Sequence, residues 1–417
     1  MIQITDRRDC CGCMACVQRC PKHCISLQND KEGFMYPNVD SIRCINCNLC
    51  EKVCPMLCKF EAGRKPVLVY AAKNPDELIR RCSSSGGVFT ALAENNIDQG
   101  GVVFGACFDE NWNVAHDFAE TKNDLQRFRG SKYVQSYIGD SYNQVEVFLK
   151  AGRKVLFSGT PCQVAGLNKF LRKPYEGLYT VDFICHGVPS PSIWCEYLKE
   201  EVARQRDRKN SVLSHPIFEK NVLIEDISFR NKIEGWKKFS FSLTLSTTNG
   251  GGKKISFCSH MPYTENIFMK GFMANLYLRP SCYVCPTRCG RSGSNITLGD
   301  FWGIDDVRPD LNDGQGISVV LVNDSKGKAL LEGVELYLWK VKYEDVLRNN
   351  VALEVSAREP ANRKKFWDDN GKRLSKRIEK YTRFPLKLRI KYATIKFVSN
   401  MLGEKWKKSV SGLFKRW

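Results

Sequence analysis

Cys10-Cys11-Gly12-Cys13-Met14-Ala15-Cys16-Val17-Gln18-Arg19-Cys20-Pro21 reads C-x2-C-x2-C-x3-C-P, and Cys44-Ile45-Asn46-Cys47-Asn48-Leu49-Cys50-Glu51-Lys52-Val53-Cys54-Pro55 repeats it 34 residues later. A cubane iron–sulfur cluster needs one thiolate per iron, and three cysteines at this spacing wrap a tight turn around three of them. The fourth cysteine of each run lies too far round the turn for its own cluster and ligates the other. The predicted sets are therefore Cys10, Cys13, Cys16 with Cys54, and Cys44, Cys47, Cys50 with Cys20. Crossed ligation ties the halves together with little apolar core.

Plainer readings fare worse. A disulfide framework needs an oxidising compartment, whereas the chain opens Met1-Ile2-Gln3-Ile4-Thr5-Asp6-Arg7-Arg8, which is no export signal. Structural zinc prefers paired C-x2-C knuckles at longer separations. Cys11, Cys24 and Cys58 are surplus to both sets, and Cys24 and Cys58 read as small buried side chains. Lys22 and Lys52 either tune the cluster potentials or are simply solvated.

With 417 residues the chain has room for more than one domain. The ferredoxin-like repeat ends near Phe60, and 61–66 reads as a linker. Twenty cysteines without an export signal point to metal ligation in a reducing cytoplasm. No apolar run is long enough to span a bilayer. The net charge of +19 is concentrated at one end: residues 363–417 hold 18 Lys+Arg and 4 Asp+Glu, or +14, leaving 46 − 41 = +5 for the rest.

In the body, 67–72 is a strand-length apolar run. Arg81-Cys82-Ser83-Ser84-Ser85-Gly86-Gly87 then leads into a helical pattern from Val88. Small residues there are either an ordinary cap or a helix start open to an anion. Further strands are expected at 100–106, 154–159 and 178–184. Thr160-Pro161 suits N-cap and N1 of a helix. Strands alternating with helices predict an α/β core, with Cys162 and Cys185 just past strand ends, where open α/β sheets hold ligands. From 226 onward the pattern alternates with period two, and Thr248-Asn249-Gly250-Gly251-Gly252 marks a hairpin.

Cys282-x2-Cys285 is half a metal site. Cys162 and Cys185 are candidates for the other half, with Cys289 and then Cys258 as competitors. On spacing alone, a third cluster and a zinc knuckle stand level.

Ser83-Ser84-Ser85-Gly86-Gly87, Arg129-Gly130-Ser131-Lys132-Tyr133, Gly159-Thr160-Pro161-Cys162-Gln163, Cys185-His186-Gly187, Ser281-Cys282-x2-Cys285 and Gly299-Asp300-Phe301-Trp302-Gly303 occur in that order. With the N-terminal repeat they resemble the coenzyme F420 hydrogenase/dehydrogenase beta-subunit family, over about residues 1–310. The resemblance implies an FAD-dependent oxidoreductase with a cubane near the flavin. It implies a third cluster on Cys162, Cys185, Cys282 and Cys285, with Cys289 competing with Cys162 for the last position. It also implies flavin contacts at Ser84, Ser85, Gly86, Gly87, Gly130, Ser131, Lys132 and Thr160, and a role for His186 in relaying a proton or bonding a cluster sulfur. Asp300 is either an acid/base group or a turn former, the latter slightly preferred.

The expected fold class is α+β: a two-cluster ferredoxin-like module (1–62), an α/β flavoprotein core with added antiparallel strands (63–350), and a basic, helical tail (351–417). The expected function is electron transfer between an external ferredoxin or deazaflavin such as F420, the [4Fe-4S] clusters and FAD. The family resemblance adds a setting in surface-polysaccharide biosynthesis and a small-molecule or glycan-related substrate. Two alternatives stand beside it: an electron-transfer subunit without substrate chemistry of its own, and an iron–sulfur redox sensor or binding protein. Ile390, Ala393, Phe397 and Met401 repeat near helical spacing among lysines, and Trp406, Phe414 and Trp417 follow among Lys407, Lys408, Lys415 and Arg416. The stretch 390–402 alone is expected to pack on the body, and the stretch beyond Gly403 to bind a surface, either an acidic partner or, as the working expectation, lipid on the inner membrane face of a cytoplasmic protein. No nucleic-acid-binding fold is recognisable, so nucleic acid is not expected as a partner.

Overall fold

The computed structural model describes residues 1–57, 62–207, 222–248 and 254–383. Its first 57 residues carry the sequence repeat into three dimensions. Gly12 and Met14 in one half, and Asn46 and Asn48 in the other, all take positive φ. These left-handed turns coil the chain around Cys13 and Cys47 before the short helices Ala15–Gln18 and Leu49–Lys52. A hairpin of β1 (Ile25–Asn29) and β2 (Met35–Val39) separates the halves.

The body is built on one eight-stranded sheet. Its early strands are β3 (Leu68–Lys73), β4 (Val102–Phe108), β5 (Val114–Ala119), β6 (Val155–Gly159) and β7 (Leu178–Phe183). A separate antiparallel sheet contains β8 (Leu223–Asn231), β9 (Ser240–Thr248) and β10 (Lys254–Pro262), in the order β10-β9-β8. The chain then returns to the main sheet with β11 (Ile296–Asp300), β12 (Ser318–Val322) and β13 (Tyr337–Lys340), giving the order β13-β3-β12-β11-β7-β6-β4-β5. Strands β11, β7, β6 and β4 are parallel neighbours. Strand β12 runs antiparallel to both β11 and β3, so β3 points the same way as the parallel set. The carboxyl ends of five strands therefore share one edge, the edge at which α/β sheets hold ligands. Helices pack on both faces, and the fold is mixed, with parallel and antiparallel parts.

Ferredoxin-like module and body are joined by buried and half-buried polar contacts. The Gln18 side-chain oxygen accepts from the backbone N–H groups of Tyr142 and Asn143. Ser192 Oγ donates to the Glu32 carbonyl at 3.0 Å, and Arg363 grips the Glu32 carboxylate.

Much of the stretch assigned by sequence to a tail belongs to the body. Phe366, Leu374 and Ile378 are fully buried in the largest apolar cluster, with Trp194, Phe229 and Phe268. Several of its cations are internally paired: Arg363 with Glu32, Arg377 with Glu196, and Lys372 and Lys380 with Asp369. The amphipathic segment from Pro385 onward, the hairpin turn at 249–252 and Cys58 lie outside the described residues.

Candidate functional site

Three cavities lined by cysteines run from the outer face of the N-terminal module into the body. Cys20, Cys44, Cys47 and Cys50 line the outer one, where Cys47 is exposed. The inner one is lined by Cys10, Cys13, Cys16 and Cys54. These are the two crossed sets that the spacing predicts. Cys24 also lines the outer cavity, its sulfur 3.4 Å from that of Cys20.

The third cavity lies at the sheet's carboxyl edge. Cys162 reaches it from the helix Pro161–Leu171 that follows β6, and Cys185 from the segment after β7. Cys282 and Cys285 come from a turn that also brings Cys289, and Cys11 enters from the N-terminal module. Cys258 stands exposed on β10 and takes no part. Polar groups approach the sulfurs: Val188 N–H lies 3.4 Å from Cys282, Thr160 Oγ1 3.2 Å from Cys162, and Thr287 Oγ1 3.3 Å from Cys285. Burial pushes the Cys282 thiol up to about 12 and raises Cys185 too. A thiolate at either position needs a cation beside it.

These thiols suit a multi-atom cluster better than a single ion. Inner and body cavities each offer about 60 Å³ and the solvent-facing outer one about 20 Å³, against the roughly 10–15 Å³ that one water needs. Among the described residues, no three His, Cys, Asp or Glu side chains are placed to bind one metal ion together. A cubane spreads its thiolates over four irons and needs the wider ring, whereas tetrahedral zinc draws four ligands to one point.

Along the same edge, the serine–glycine loop meets the second candidate flavin segment. Ser84 Oγ accepts from both the N–H (2.7 Å) and the hydroxyl (2.8 Å) of Ser131. Gly87, at φ +81°, precedes the helix Val88–Asp98, whose start has no side-chain cap. Lys132 is turned inward, bonded only to the carbonyls of Arg129 and Gly130, and burial lowers its pKa to about 8. No carboxylate pairs with it among the described residues. Gly86 has a different task. Its N–H donates to Ser318 Oγ, and a Cβ there would sit 2.4 Å from the Ala72 carbonyl. Ser85 Oγ likewise donates to the Ile317 carbonyl.

Other candidates are occupied elsewhere. Thr160 caps its helix in a reciprocal box with Gln163 and faces Cys162, not the serine loop. His186 Nε2 lies 2.6 Å from Asn275 Oδ1, and burial lowers its pKa. Asp300 is no turn former: it ends β11, where Arg230 holds both its oxygens and Trp236 Nε1 donates at 2.8 Å.

Sequence reasoning overlooked Cys11, Arg279, Asp182 and the Arg230–Asp300 pair. The doubled Cys10-Cys11 was a usable signal for the first. Arg279 and Arg230 gave none, since only the folded chain supplies their partners. Asp182 lines the body cavity, accepts from Thr297 Oγ1, and is driven up to about 6 by burial.

Residues 9–58 match the 4Fe-4S dicluster domain. Residues 69–140 match the N-terminal model, and residues 152–342 the C-terminal model, of the coenzyme F420 hydrogenase/dehydrogenase beta subunit. The chain belongs to that family, with a dicluster domain in front. It is 27% identical over 205 residues (47% of this chain, 30% of the relative) to a coenzyme F420-dependent sulfite reductase of Methanocaldococcus jannaschii. A second relative from that organism, an uncharacterized protein, is 25% identical over 200 residues (40% of this chain, 54% of the relative). The chain thus spans about a third and about half of the curated relatives it matches. A chain of the F420-reducing [NiFe] hydrogenase complex from Methanosarcina barkeri is similar at 16% identity and a TM-score of 0.41, over 73% of this chain and 99% of that one.

Proposed function

We propose that this chain is an iron–sulfur flavoprotein oxidoreductase that relays single electrons along a row of three [4Fe-4S] sites between an external partner and a flavin-linked reaction. One observation carries the reading: Cys11 and Met56 line both the inner and the body cavity, so the two sites share a wall. In this reading Cys20, Cys44, Cys47 and Cys50 hold the outer cluster at the surface, and Cys10, Cys13, Cys16 and Cys54 the inner one. Cys162, Cys185, Cys282 and Cys285 hold the third. FAD is assigned to the adjoining edge, with Ser84, Ser131, Lys132 and the open helix start at Gly87 receiving its phosphates. When bound, clusters supply one-electron carriage and flavin converts single electrons to pairs.

The exposed Cys47 suits the outer site to meet a ferredoxin, and the sulfite-reductase likeness supports F420 as the other exchange partner. Asn275 fixes the His186 ring, which leaves its second nitrogen to relay a proton near Cys185. Anaerobically reconstituted protein is expected to hold about twelve irons and one FAD. Replacing Cys282 and Cys285 with Ala should remove about four of them. Saturation near eight irons in the parent chain, unchanged in that variant, would end the three-site reading.

A further inference from the structure

Arg279 is 1% exposed, and no carboxylate pairs with it among the described residues. Its guanidinium is held by neutral groups only. Nε donates to the Cys10 carbonyl at 2.7 Å, Nη1 to Gln135 Oε1 at 3.0 Å, and Nη2 to the Met35 carbonyl at 2.9 Å. The rings of Tyr36 and Phe34 lie 4.4 and 5.3 Å from its central carbon. Nη2 is also 3.4 Å from the Cys10 sulfur. Among the residues lining the inner cavity, Arg279 carries the only formal charge. Gly12 permits the approach: with φ +73°, it leaves clear the space where a Cβ would sit 2.8 Å from Nη1.

An isolated buried charge costs several kcal/mol unless a counter-charge lies within reach. The Arg279 environment supplies hydrogen-bond acceptors and ring faces but no anion. What the cavity has instead is the four cysteines Cys10, Cys13, Cys16 and Cys54, beside Cys11 on its wall, and a cubane on four thiolates carries net negative charge that grows on reduction. We propose that Arg279 is the counter-charge of the inner cluster and a positioning residue that sets its reduction potential. The inference rests on the assignment of a cluster to Cys10, Cys13, Cys16 and Cys54.

The physics gives the sign. Burial disfavours the more highly charged, reduced state of a cluster, and so lowers its potential relative to an exposed one. The inner site is buried, whereas the outer site opens to solvent at Cys47. A fixed cation beside Cys10 favours the reduced state and offsets that penalty, which keeps the buried carrier reducible from the exposed one. Arg279 also sits three residues before Cys282, so the same short segment serves both the inner and the body site.

The test is an EPR-monitored redox titration of the full-length, anaerobically reconstituted protein, with iron content measured beside it. Arg279→Gln removes the charge. Gln135→Glu keeps the arginine and gives it a carboxylate partner, losing only the Gln135 Nε2 bond to the Cys11 carbonyl, and Gln135→Glu combined with Arg279→Gln reads the effect of the added carboxylate without the arginine. Both single variants are expected to weaken one-electron reduction of one cluster at least tenfold, a fall of 59 mV or more, and to leave the other clusters in place. Arg279→Lys, which keeps the charge, should stay within tenfold of the parent. Should Arg279→Gln lose its cluster outright, Gln135→Glu decides. If both charge-altering variants retain their iron and every potential stays within threefold of the parent, Arg279 is a structural rivet and the proposal is wrong. Parent protein whose iron content does not depend on Cys10 or Cys54 sinks the cluster assignment itself, a result separable from unmoved potentials.

Discussion

Arg363 and Glu32 form a two-pronged ion pair, buried on both sides, between the far end of the body and the hairpin of the N-terminal module. The same guanidinium donates to the Leu278 carbonyl at 3.0 Å, next to Arg279, and to the Tyr283 hydroxyl, next to Cys282. One side chain therefore clamps the module to the segment that serves two cavities. Arg363→Ala strands a buried carboxylate and should cost about 3–5 kcal/mol. Replacing both partners by apolar residues of like volume should recover most of that loss. Denaturant unfolding followed by cluster absorbance measures it. Equal loss in single and double variants would show that the pair's charge is not what matters.

Lys132 offers a cleaner flavin test than the glycines. A side chain at Gly86 would strike the Ala72 carbonyl and disturb the sheet itself. Lys132→Glu reverses the unpaired inward charge while leaving that packing alone. Flavin content should fall at least tenfold while iron content holds. Stoichiometric flavin in this variant would move the phosphates away from Ser131 and Lys132.

Asp182 is held against its own ionisation. Burial lifts it to about 6 from an ordinary value of 3.8. With a raised folded pKa the native state binds more protons than the unfolded chain across that window, so stability falls as pH rises through it. At pH 7.5 the charged form carries the full penalty, and Asp182→Asn, still able to bond Thr297, should stabilise by on the order of 1–2 kcal/mol. The gain should shrink as pH is lowered toward 5. Anaerobic thermal melts at both pH values check it, and a variant less stable at pH 7.5 contradicts it.

Truncation after Arg383 tests the basic end. It keeps the packed helix Leu374–Thr382 and removes the segment expected to lie on lipid. The full chain should float with anionic vesicles at low salt and release at high salt, whereas the truncated chain should stay down. Equal flotation of both would relocate the contact to the body. Among the described residues no helix is long and apolar enough to cross a membrane.

What could be read in advance follows from locality. Cysteine spacing alone placed eight side chains around two cavities, since the turn that gathers them lies within each run. The apolar runs at β3, β4, β6 and β7 were plain, as was the Thr160-Pro161 helix start. Strand β12 was missed although Ile317-Ser318-Val319-Val320-Leu321-Val322 is an apolar run bounded by Asn312-Asp313-Gly314-Gln315-Gly316 and Asn323-Asp324, the pattern of a buried strand. Strand β11 hid inside a motif read for chemistry. The partners in pairings such as Arg279 with Cys10, Arg363 with Glu32 and Arg230 with Asp300 lie 269, 331 and 70 residues apart. Topology chooses such partners, and no periodicity encodes them.

Strand β3 pairs only with β12 and β13. It is the first strand of the sheet to be made, and its two neighbours are the last. At ribosomal rates of 5–20 residues per second, β3 waits on the order of tens of seconds with both edges bare. During that interval the nascent chain exposes a short apolar ribbon to any other strand nearby, and the carboxyl edge where the body cavity forms is incomplete. The edge that carries the body cavity is thus completed only once β12 and β13 have been made and have paired with β3.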